Sequence, residues 1–159
     1  SLGFEVKPHE ARDLVSVGQK IKAAAAEQLP VVHPENPLIR TVTFTEFAMP
    51  FAGPGTISRN AVIVSPGRID RSPCGTGTTA RLAVLHAKGQ IAAGEGFTHA
   101  SSIGSPFECG IVAETQVGSR RAISATIAGQ AWITGIFQYG VDPTDPFREG
   151  YTLPDLWFS

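Results

Sequence analysis

The chain has 159 residues and a formal net charge of -1, and 42% of its residues are hydrophobic. A chain of this length is about the size of one domain and buries roughly two thirds of the surface that its unfolded form exposes. The near-neutral charge argues against a nucleic-acid partner. The longest apolar runs fall far short of the roughly 20 residues of a membrane helix, so we expect a soluble protein without a membrane partner.

Residues 8–28 have the pattern of an amphipathic helix. Pro8 at the first helical position is a start signal, and Pro30 ends the pattern. Polar residues occupy the rest of the helical wheel, so we expect this helix to cover an outer face of the domain. The apolar or small residues at helical spacing are Ala11, Leu14, Val15, Gly18, Ile21 and Ala25.

Two β segments and a second helix are predicted next. Residues 41–47 alternate Val42, Phe44 and Glu46 against threonines, which indicates a strand with one face inward, and residues 60–65 form a short apolar β run. The run that follows Thr76 is apolar on nearly all sides, which is typical of a buried helix.

From residue 96 onward the sequence consists of short β-rich pieces separated by glycine turns. These pieces span residues 97–103, 107–117, 121–129 and 130–140, and they predict an antiparallel meander. Residues 141–157 contain three prolines and no periodicity, so we expect extended and turn structure. The chain as a whole predicts an α+β domain in which strands surround one buried helix.

The chain has two cysteines, Cys74 and Cys109. Two cysteines in a chain of this size do not make a disulfide framework, and no secretion signal accompanies them, so we expect a reducing, cytoplasmic setting. The first residues also lack an initiator methionine, and we expect the chain to begin inside a longer protein.

The stretch "DRSPCGTGT", residues 70–78, concentrates reactive and permissive residues just before the second helix. Free N–H groups and the helix dipole stabilise an anion at a helix start, and Gly75 has no side chain to obstruct it. A thiol such as that of Cys74 is converted more readily to thiolate in the same field. Asp70 adds an acceptor for an ammonium group. This combination of a base, an anion cradle and an ammonium acceptor matches an α-amino acid.

Other interpretations of the stretch are weaker. It lacks the Gly-Lys-Ser/Thr ending of a P-loop and the third glycine of a dinucleotide site. No histidine has a known spacing to Cys74 for a cysteine hydrolase, and no Cys/His spacing indicates a metal site. We expect the histidines to be solvent-facing or satisfied structural residues: His9, His33, His86 and His99.

Residues 70–78 closely resemble the second active-site motif of the proline racemase family, which includes proline racemases, 4-hydroxyproline 2-epimerases and trans-3-hydroxyproline dehydratases. The resemblance covers essentially the whole chain. Further similar segments follow in the same order: "HPENP" at 33–37, "SRNAVI" at 58–63, "HAKGQI" at 86–91, "IGSPF" at 103–107, "AWITG" at 131–135 and "DPTDPF" at 142–147.

The resemblance implies a cofactor-independent racemisation in which two cysteines face opposite sides of the substrate Cα. By the family pattern Cys74 is one of the two, Gly75 and Thr76 hold the substrate carboxylate, and Asp70 accepts from the ring nitrogen. It also implies an α+β lobe like that of diaminopimelate epimerase, with antiparallel and mixed strands around a central helix. A proline or hydroxyproline substrate and a homodimer are expected in turn.

The chain departs from the family pattern in one respect. The other family cysteine belongs to a Met-Cys-Gly-His motif in the first half of a two-lobed chain, which is absent here, and we expect Cys109 to be structural. Residues 1–159 therefore resemble the C-terminal lobe alone, without the N-terminal lobe, and we expect this lobe by itself to be inactive. Two alternatives stay open: a trans-3-hydroxyproline dehydratase, which usually has Thr or Ser in place of Cys74, and an inactive amino-acid-binding half-enzyme.

Overall fold

The structure is a computed structural model that describes residue 3 and residues 5–152. It has a mixed α+β architecture, as the sequence predicts. A 3-10 turn at Pro8–Glu10 leads into the first of two helices. In chain order, the helices and strands are α1 (Ala11–Gln28), β1 (Thr45–Ala48), β2 (Ile57–Val64), β3 (Arg68–Ile69), α2 (Gly75–Ala87), β4 (Gly96–Ala100), β5 (Pro106–Val117) and β6 (Arg120–Ala128).

The strands form one mixed sheet. Its order is β1-β2-β4-β5-β6, and the short β3 pairs with β2 beside that path. Only β2 and β4 run parallel, and α2 lies between them in the chain. The predicted meander is confirmed for β4, β5 and β6, which pair antiparallel in sequence order.

Helix α1 covers one face of the β1–β2 pair. Its residues Leu14 and Gly18 are buried, and Leu14 joins an apolar cluster with Ala61 and Ile63 of β2. The contact is close, because a Cβ atom at Gly18 would lie 2.7 Å from Cγ1 of Ile63. The predicted amphipathic helix over residues 8–28 is therefore confirmed, and small size at position 18 sets the distance between helix and sheet.

Helix α2 packs against the other side of the sheet. Its buried residues are Thr78, Leu82 and Leu85, and both leucines belong to a second apolar cluster that continues into β4 and β5. Gly89, at a positive φ of 67°, directly follows the helix and its cap residue. The remaining members of the cluster are Ile91, Phe97, Cys109 and Ile111.

The burial of α2 differs from the prediction. The sequence indicated a helix buried on nearly all sides, but Ala80, Val84 and Ala87 are exposed, with 45% of Val84 accessible. The described sheet covers one face of the helix, and the apolar composition of the opposite face has no counterpart among the described residues.

The predicted β segments differ from the structure in their bounds, and one of them forms no strand. The segment predicted at residues 60–65 is a strand over Ile57–Val64, and the one predicted at 97–103 ends at Ala100. The first strand begins at Thr45 rather than at residue 41, and it ends at Ala48. Residues 130–140 form no strand, because they find no ladder partner in residues 5–152, and an unpaired strand is not stable in water. Trp132 and Ile136 in this segment are 73% and 95% exposed.

The predicted extended tail is partly described. Residues 141–152 contain turns and no helix or strand, as expected, whereas residues 153–157 of the prediction lie outside the described residues. Among the residues that the structure describes, no helix is both long and apolar enough to cross a membrane.

Candidate active site around Cys74

Cys74 occupies the N-cap of α2 in an unusual backbone conformation. Its φ and ψ are 64° and 119°, and it is the one non-glycine residue with a positive φ in the described part of the chain. A side chain in this region costs on the order of 1–3 kcal/mol, and such residues concentrate at functional sites. The Gly77 N–H donates a hydrogen bond to the Cys74 Sγ at 3.5 Å, so the sulfur is held at the start of the helix.

Asp70 and Ser72 brace the turn that leads to Cys74. The backbone N–H and the hydroxyl of Ser72 both donate to Oδ1 of Asp70, each at 2.9 Å. The Ser72 Oγ in turn accepts from the Cys74 N–H at 3.0 Å. Oδ2 of Asp70 makes no hydrogen bond within residues 5–152, and the side chain is half-buried. One carboxylate oxygen therefore holds the turn and the other is free to accept.

The first two residues of α2 offer unused donors. The N–H groups of Gly75 and Thr76 make no hydrogen bond to any described residue, as expected for the first turn of a helix, and both residues are exposed. A Cβ atom at Gly75 would meet nothing within 4 Å. The space beside Gly75 is therefore open to a ligand, and the N–H groups of Gly75 and Thr76 are free to donate to an anion.

Gly77 differs from Gly75 in its surroundings. A Cβ atom at Gly77 would lie 2.9 Å from Cγ2 of Val62 and 3.0 Å from Oε2 of Glu46. The glycine at position 77 is thus required by the close packing of α2 on β1 and β2. The two glycines of the motif have separate roles, one in packing and one in leaving space.

A buried polar cluster lies beneath the turn. The Asn60 Nδ2 donates to Oε1 of Glu46 at 3.0 Å and to the Pro73 carbonyl at 2.8 Å. Thr78 Oγ1 lies 2.9 Å from Nδ1 of His99 and donates to the Pro73 carbonyl at 3.4 Å. His99 Nε2 lies 3.6 Å from Oε1 of Glu46 and, within the described residues, has no hydrogen-bond partner.

Burial keeps both titratable groups of this cluster neutral over a wide pH range. It raises the pKa of the Glu46 carboxyl from 4.5 to about 7, although the hydrogen bond from Asn60 and the charge of Arg81 oppose the rise. It lowers the pKa of His99 from 6.5 to about 4, and the charge of Arg81 acts in the same direction. Between these values a neutral acid faces a neutral imidazole.

Sequence reasoning missed this cluster as part of the site. The sequence indicates Glu46 only as a possible inward residue of a strand, and His99 only as one of four histidines. A usable signal was present for His99, because alternation from the buried Phe97 places residue 99 on the same inward face of β4. Asn60 offered no such signal, since one asparagine at the start of an apolar run is equally typical of a turn.

The other reactive residues are structural. The Cys109 thiol is buried in the apolar cluster and donates to the Phe97 carbonyl, and burial raises the pKa of this thiol to about 11. Cys74 and Cys109 are unpaired. His86 Nε2 lies within hydrogen-bond distance, 3.1 Å, of Oε1 of Glu114, and the His33 Nδ1 accepts from the backbone N–H groups of Glu35 and Asn36. No group of three or more potential metal ligands occurs in the described residues.

The structure brings the four sequence-predicted site residues into one turn. Cys74 lies at the cap of α2, Gly75 and Thr76 follow it, and Asp70 is held four positions before it by Ser72. This arrangement can bind an anion at two amides, accept from a cation at Oδ2 of Asp70, and exchange a proton at the sulfur of Cys74.

One family profile and two solved structures are similar to this chain over nearly its whole length. The profile of a family described as proline racemase matches residues 1–152. A probable proline racemase from Agrobacterium radiobacter K84, solved with bound carbonate, is 41% identical with a TM-score of 0.78 over 98% of this chain and 45% of its own. A hydroxyproline epimerase from Agrobacterium vitis, solved with bound trans-4-hydroxy-L-proline, is 39% identical with a TM-score of 0.78 over 98% and 44%. The chain spans less than half the length of each relative.

Proposed function

Because the chain belongs to the proline racemase family, we propose that it supplies one half of the active site of a proline racemase or 4-hydroxyproline epimerase. The observation that carries the proposal is the turn at Cys74. There a thiol at the start of a helix directly precedes two unused amides, and one oxygen of the Asp70 carboxylate, in the same segment, makes no hydrogen bond within the described residues. These three groups match the Cα–H, the carboxylate and the amine of an imino acid.

The substrate carboxylate is placed at the start of α2. The N–H groups of Gly75 and Thr76 donate to it, and the Thr76 hydroxyl is a further donor. The dipole of α2 favours the same negative charge. The ring nitrogen of the substrate donates to Oδ2 of Asp70. The two ends of the substrate are then fixed on either side of Cys74, so that its Cα comes next to the sulfur.

Proton transfer follows from this placement. The thiolate of Cys74 takes the proton from Cα and becomes a thiol, and the electron pair left on Cα is delocalised into the carboxylate. The charge on the carboxylate oxygens grows in this step, so donors that are already oriented stabilise the transition state more than the ground state. A thiol on the opposite face of Cα then delivers a proton, which inverts the centre and leaves that thiol as thiolate. The proposed reaction uses no cofactor.

The second thiol is assigned to an N-terminal lobe outside this chain. A single base returns the proton to the face from which it came, so inversion requires an acid on the other face. Cys109 does not fit that role, because it is buried in the apolar cluster with a pKa raised to about 11. Residues 1–159 are accordingly proposed to be the C-terminal lobe of a longer enzyme, and the lobe alone is proposed to be inactive.

Exposed apolar surface supports the assignment of a further lobe. Trp132, Ile133 and Ile136 are 73%, 89% and 95% exposed, and Val84 of α2 is 45% exposed. A run of large apolar side chains in water marks an interaction surface.

A homodimer is proposed as well. A reducing, cytoplasmic setting is also proposed, because both cysteines are unpaired.

The main alternative is a trans-3-hydroxyproline dehydratase. It requires one base, because loss of the β-hydroxyl replaces reprotonation on the opposite face. Cysteine at position 74 favours the racemase, since the dehydratases usually have Thr or Ser there. An amino-acid-binding half-enzyme without turnover is the expected behaviour of the isolated lobe.

The test is hydrogen exchange at Cα by the full-length protein in D2O. With L-proline and with trans-4-hydroxy-L-proline in turn, we expect inversion at Cα with deuterium incorporated into the product. Cys74→Ser should reduce the rate by roughly a hundred- to ten-thousandfold, because the base is lost. The matched control is Cys109→Ser, whose hydroxyl can still donate to the Phe97 carbonyl and which should retain turnover.

Three results would overturn parts of the proposal. Unchanged turnover in Cys74→Ser would remove its role as a base. Conversion of trans-3-hydroxy-L-proline to a pyrroline product without inversion would select the dehydratase. Sustained racemisation by residues 1–159 alone would contradict the need for a second lobe.

A further inference from the structure

The Pro73 carbonyl directly precedes the strained residue Cys74, and two polar side chains reach it. Asn60 Nδ2 donates at 2.8 Å and the Thr78 hydroxyl at 3.4 Å. Pro73 and Cys74 are both buried, so the hydrogen bonds of this carbonyl are not replaced by solvent. A group that changes the hydrogen bonds from Asn60 and Thr78 to the Pro73 carbonyl therefore changes how rigidly the turn at Cys74 is held.

Both donors lead back to Glu46. Asn60 Nδ2 uses its other hydrogen for Oε1 of Glu46 at 3.0 Å. Thr78 Oγ1 lies 2.9 Å from His99 Nδ1. The other ring nitrogen of His99, Nε2, lies 3.6 Å from the same Oε1. The His99 side chain is fully buried, and its Nε2 has no hydrogen-bond partner in the described part of the chain.

We propose that Glu46 is a positioning residue whose protonation state sets how many hydrogen bonds hold the Pro73 carbonyl, and so how firmly Cys74 is presented. The proposal rests on the proposed function in one respect, namely that Cys74 is the base. It assigns to Glu46 no contact with substrate.

The two protonation states require different hydrogen-bond directions. When Glu46 is protonated, its O–H can donate to His99 Nε2 once the two atoms approach from their 3.6 Å separation to hydrogen-bond distance, which leaves the imidazole proton on Nδ1. Nδ1–H then donates to the Thr78 oxygen, and the Thr78 hydroxyl is free to donate to Pro73. When Glu46 is ionised, His99 carries its proton on Nε2 and donates it to the carboxylate. The Thr78 hydroxyl must then donate to Nδ1, and the Pro73 carbonyl keeps only the bond from Asn60.

The charges around Glu46 are compatible with such a change. The titratable and charged groups that face it among the described residues are His99 from β4 and Arg81 from α2, beside the neutral amide of Asn60 on β2. Burial raises the pKa of Glu46 to about 7, and His99 stays neutral above about 4. The proton on Glu46 is therefore gained or lost within the range where enzymes work, while the imidazole changes only its tautomer.

The reactivity of Cys74 toward iodoacetamide tests the proposal without substrate. In the full-length protein, the alkylation rate of Cys74, measured by mass spectrometry, is plotted against pH. We expect the wild type to show an inflection at the titration of Glu46, with a rate change of between about twofold and tenfold for one hydrogen bond. Glu46→Gln should lack this inflection, and Glu114→Gln, at an exposed site on β5, should retain it.

Two variants of Thr78 separate the hydrogen-bond chain from a simple effect of charge. Thr78→Val removes the hydroxyl but leaves the Glu46 charge in place, and it should lose the inflection. Thr78→Ser keeps the hydroxyl and should restore it. His99→Asn interrupts the chain at a second point and should also lose the inflection. Near-ultraviolet circular dichroism identifies any variant that does not fold.

Each outcome bears on the proposal. An inflection that persists in Glu46→Gln, or one that is the same in Thr78→Val and Thr78→Ser, overturns it, as does a wild-type profile without the inflection. These results are independent of the Cys74→Ser turnover experiment. Failure of the proposed function would leave the alkylation profile intact, and failure of the positioning role would leave the loss of turnover in Cys74→Ser intact.

Discussion

Each of the two faces of the β1–β2 pair packs against a helix through a glycine, but one face is apolar and the other is polar. On one face Gly18 of α1 lies against Ile63 and Phe47, and the surrounding cluster is apolar. On the other face Gly77 of α2 lies against Val62 and Glu46, and the neighbouring buried groups are polar. A glycine sets the helix-to-sheet distance in both places.

The difference shows how one sheet serves both stability and chemistry. Successive residues of a strand point to opposite faces, so β1 sends Phe47 toward α1 and Glu46 toward α2. The apolar face gains free energy from burial, whereas the polar face orients the Pro73 carbonyl at a cost in desolvation. The turn at Cys74 thus packs on a face whose polar side chains orient the Pro73 carbonyl and contribute less to stability than the apolar side chains of the other face.

The largest change in stability is expected on the apolar face. Leu14→Ala removes a side chain that is 1% exposed and leaves a cavity beside Ala61 and Ile63. The free energy of unfolding should fall by about 2–5 kcal/mol. Ile21→Ala, at a site on the same helix that is 39% exposed, is the matched control and should cost far less. Urea denaturation of the full-length protein measures both, and equal losses would contradict the assignment of this face to the core.

The two glycines give the next largest effect and the sharpest contrast. Gly18→Ala and Gly77→Ala each place a Cβ atom within 3.0 Å of the sheet, at 2.7 Å from Ile63 and 2.9 Å from Val62. Overpacking should cost about 1–3 kcal/mol in each, partly offset by the better helix propensity of alanine, about 1 kcal/mol.

Only Gly77→Ala should alter the chemistry, because it also displaces Glu46, whose Oε2 would lie 3.0 Å from the new atom. We expect the alkylation rate of Cys74 to change in Gly77→Ala and to stay at the wild-type value in Gly18→Ala. Gly75→Ala is a further control for packing. Its Cβ atom meets nothing within 4 Å, so the free energy of unfolding should be nearly unchanged. An equal change of Cys74 reactivity in Gly18→Ala and Gly77→Ala would show that the two faces are not independent.

Local patterns in the sequence predicted the elements but not every contact between them. Helical spacing placed α1 correctly, and the concentration of Asp70 and Cys74 before α2, with Gly75 and Gly77 in its first turn, identified the start of this helix. These features depend on neighbours in the chain, so the sequence contains them directly. Residues 130–140 have a β pattern but no partner in the described part, and such a pattern reports propensity rather than pairing.

The polar face could not be predicted in the same way. Glu46, Asn60 and His99 come from three different strands, and they meet only because β2 pairs with β1 on one side and with β4 on the other. Their register determines the contact: Glu46 pairs with Val62 and Ala48 with Asn60. No spacing along the chain encodes that arrangement, so the sequence shows at most that His99 faces inward, and not that it meets Glu46 and Asn60.

The effect that is smallest in the wild type is the net pH dependence of stability from the polar face, because Glu46 and His99 contribute opposite slopes. The pKa of Glu46 rises from 4.5 to about 7 on folding, so its unfolded form releases the proton first and stability is lost as pH rises over that range. The pKa of His99 falls from 6.5 to about 4, so stability is gained as pH rises between those values. The two slopes largely cancel in the wild type.

Measured against wild type by urea denaturation, Glu46→Gln should become relatively more stable with rising pH, and His99→Asn relatively less. Glu114→Gln should follow the wild type across this range, because the Arg121 hydrogen bond holds the pKa of Glu114 below its usual value. Parallel curves for Glu46→Gln and His99→Asn would mean that the two groups do not titrate as a buried pair.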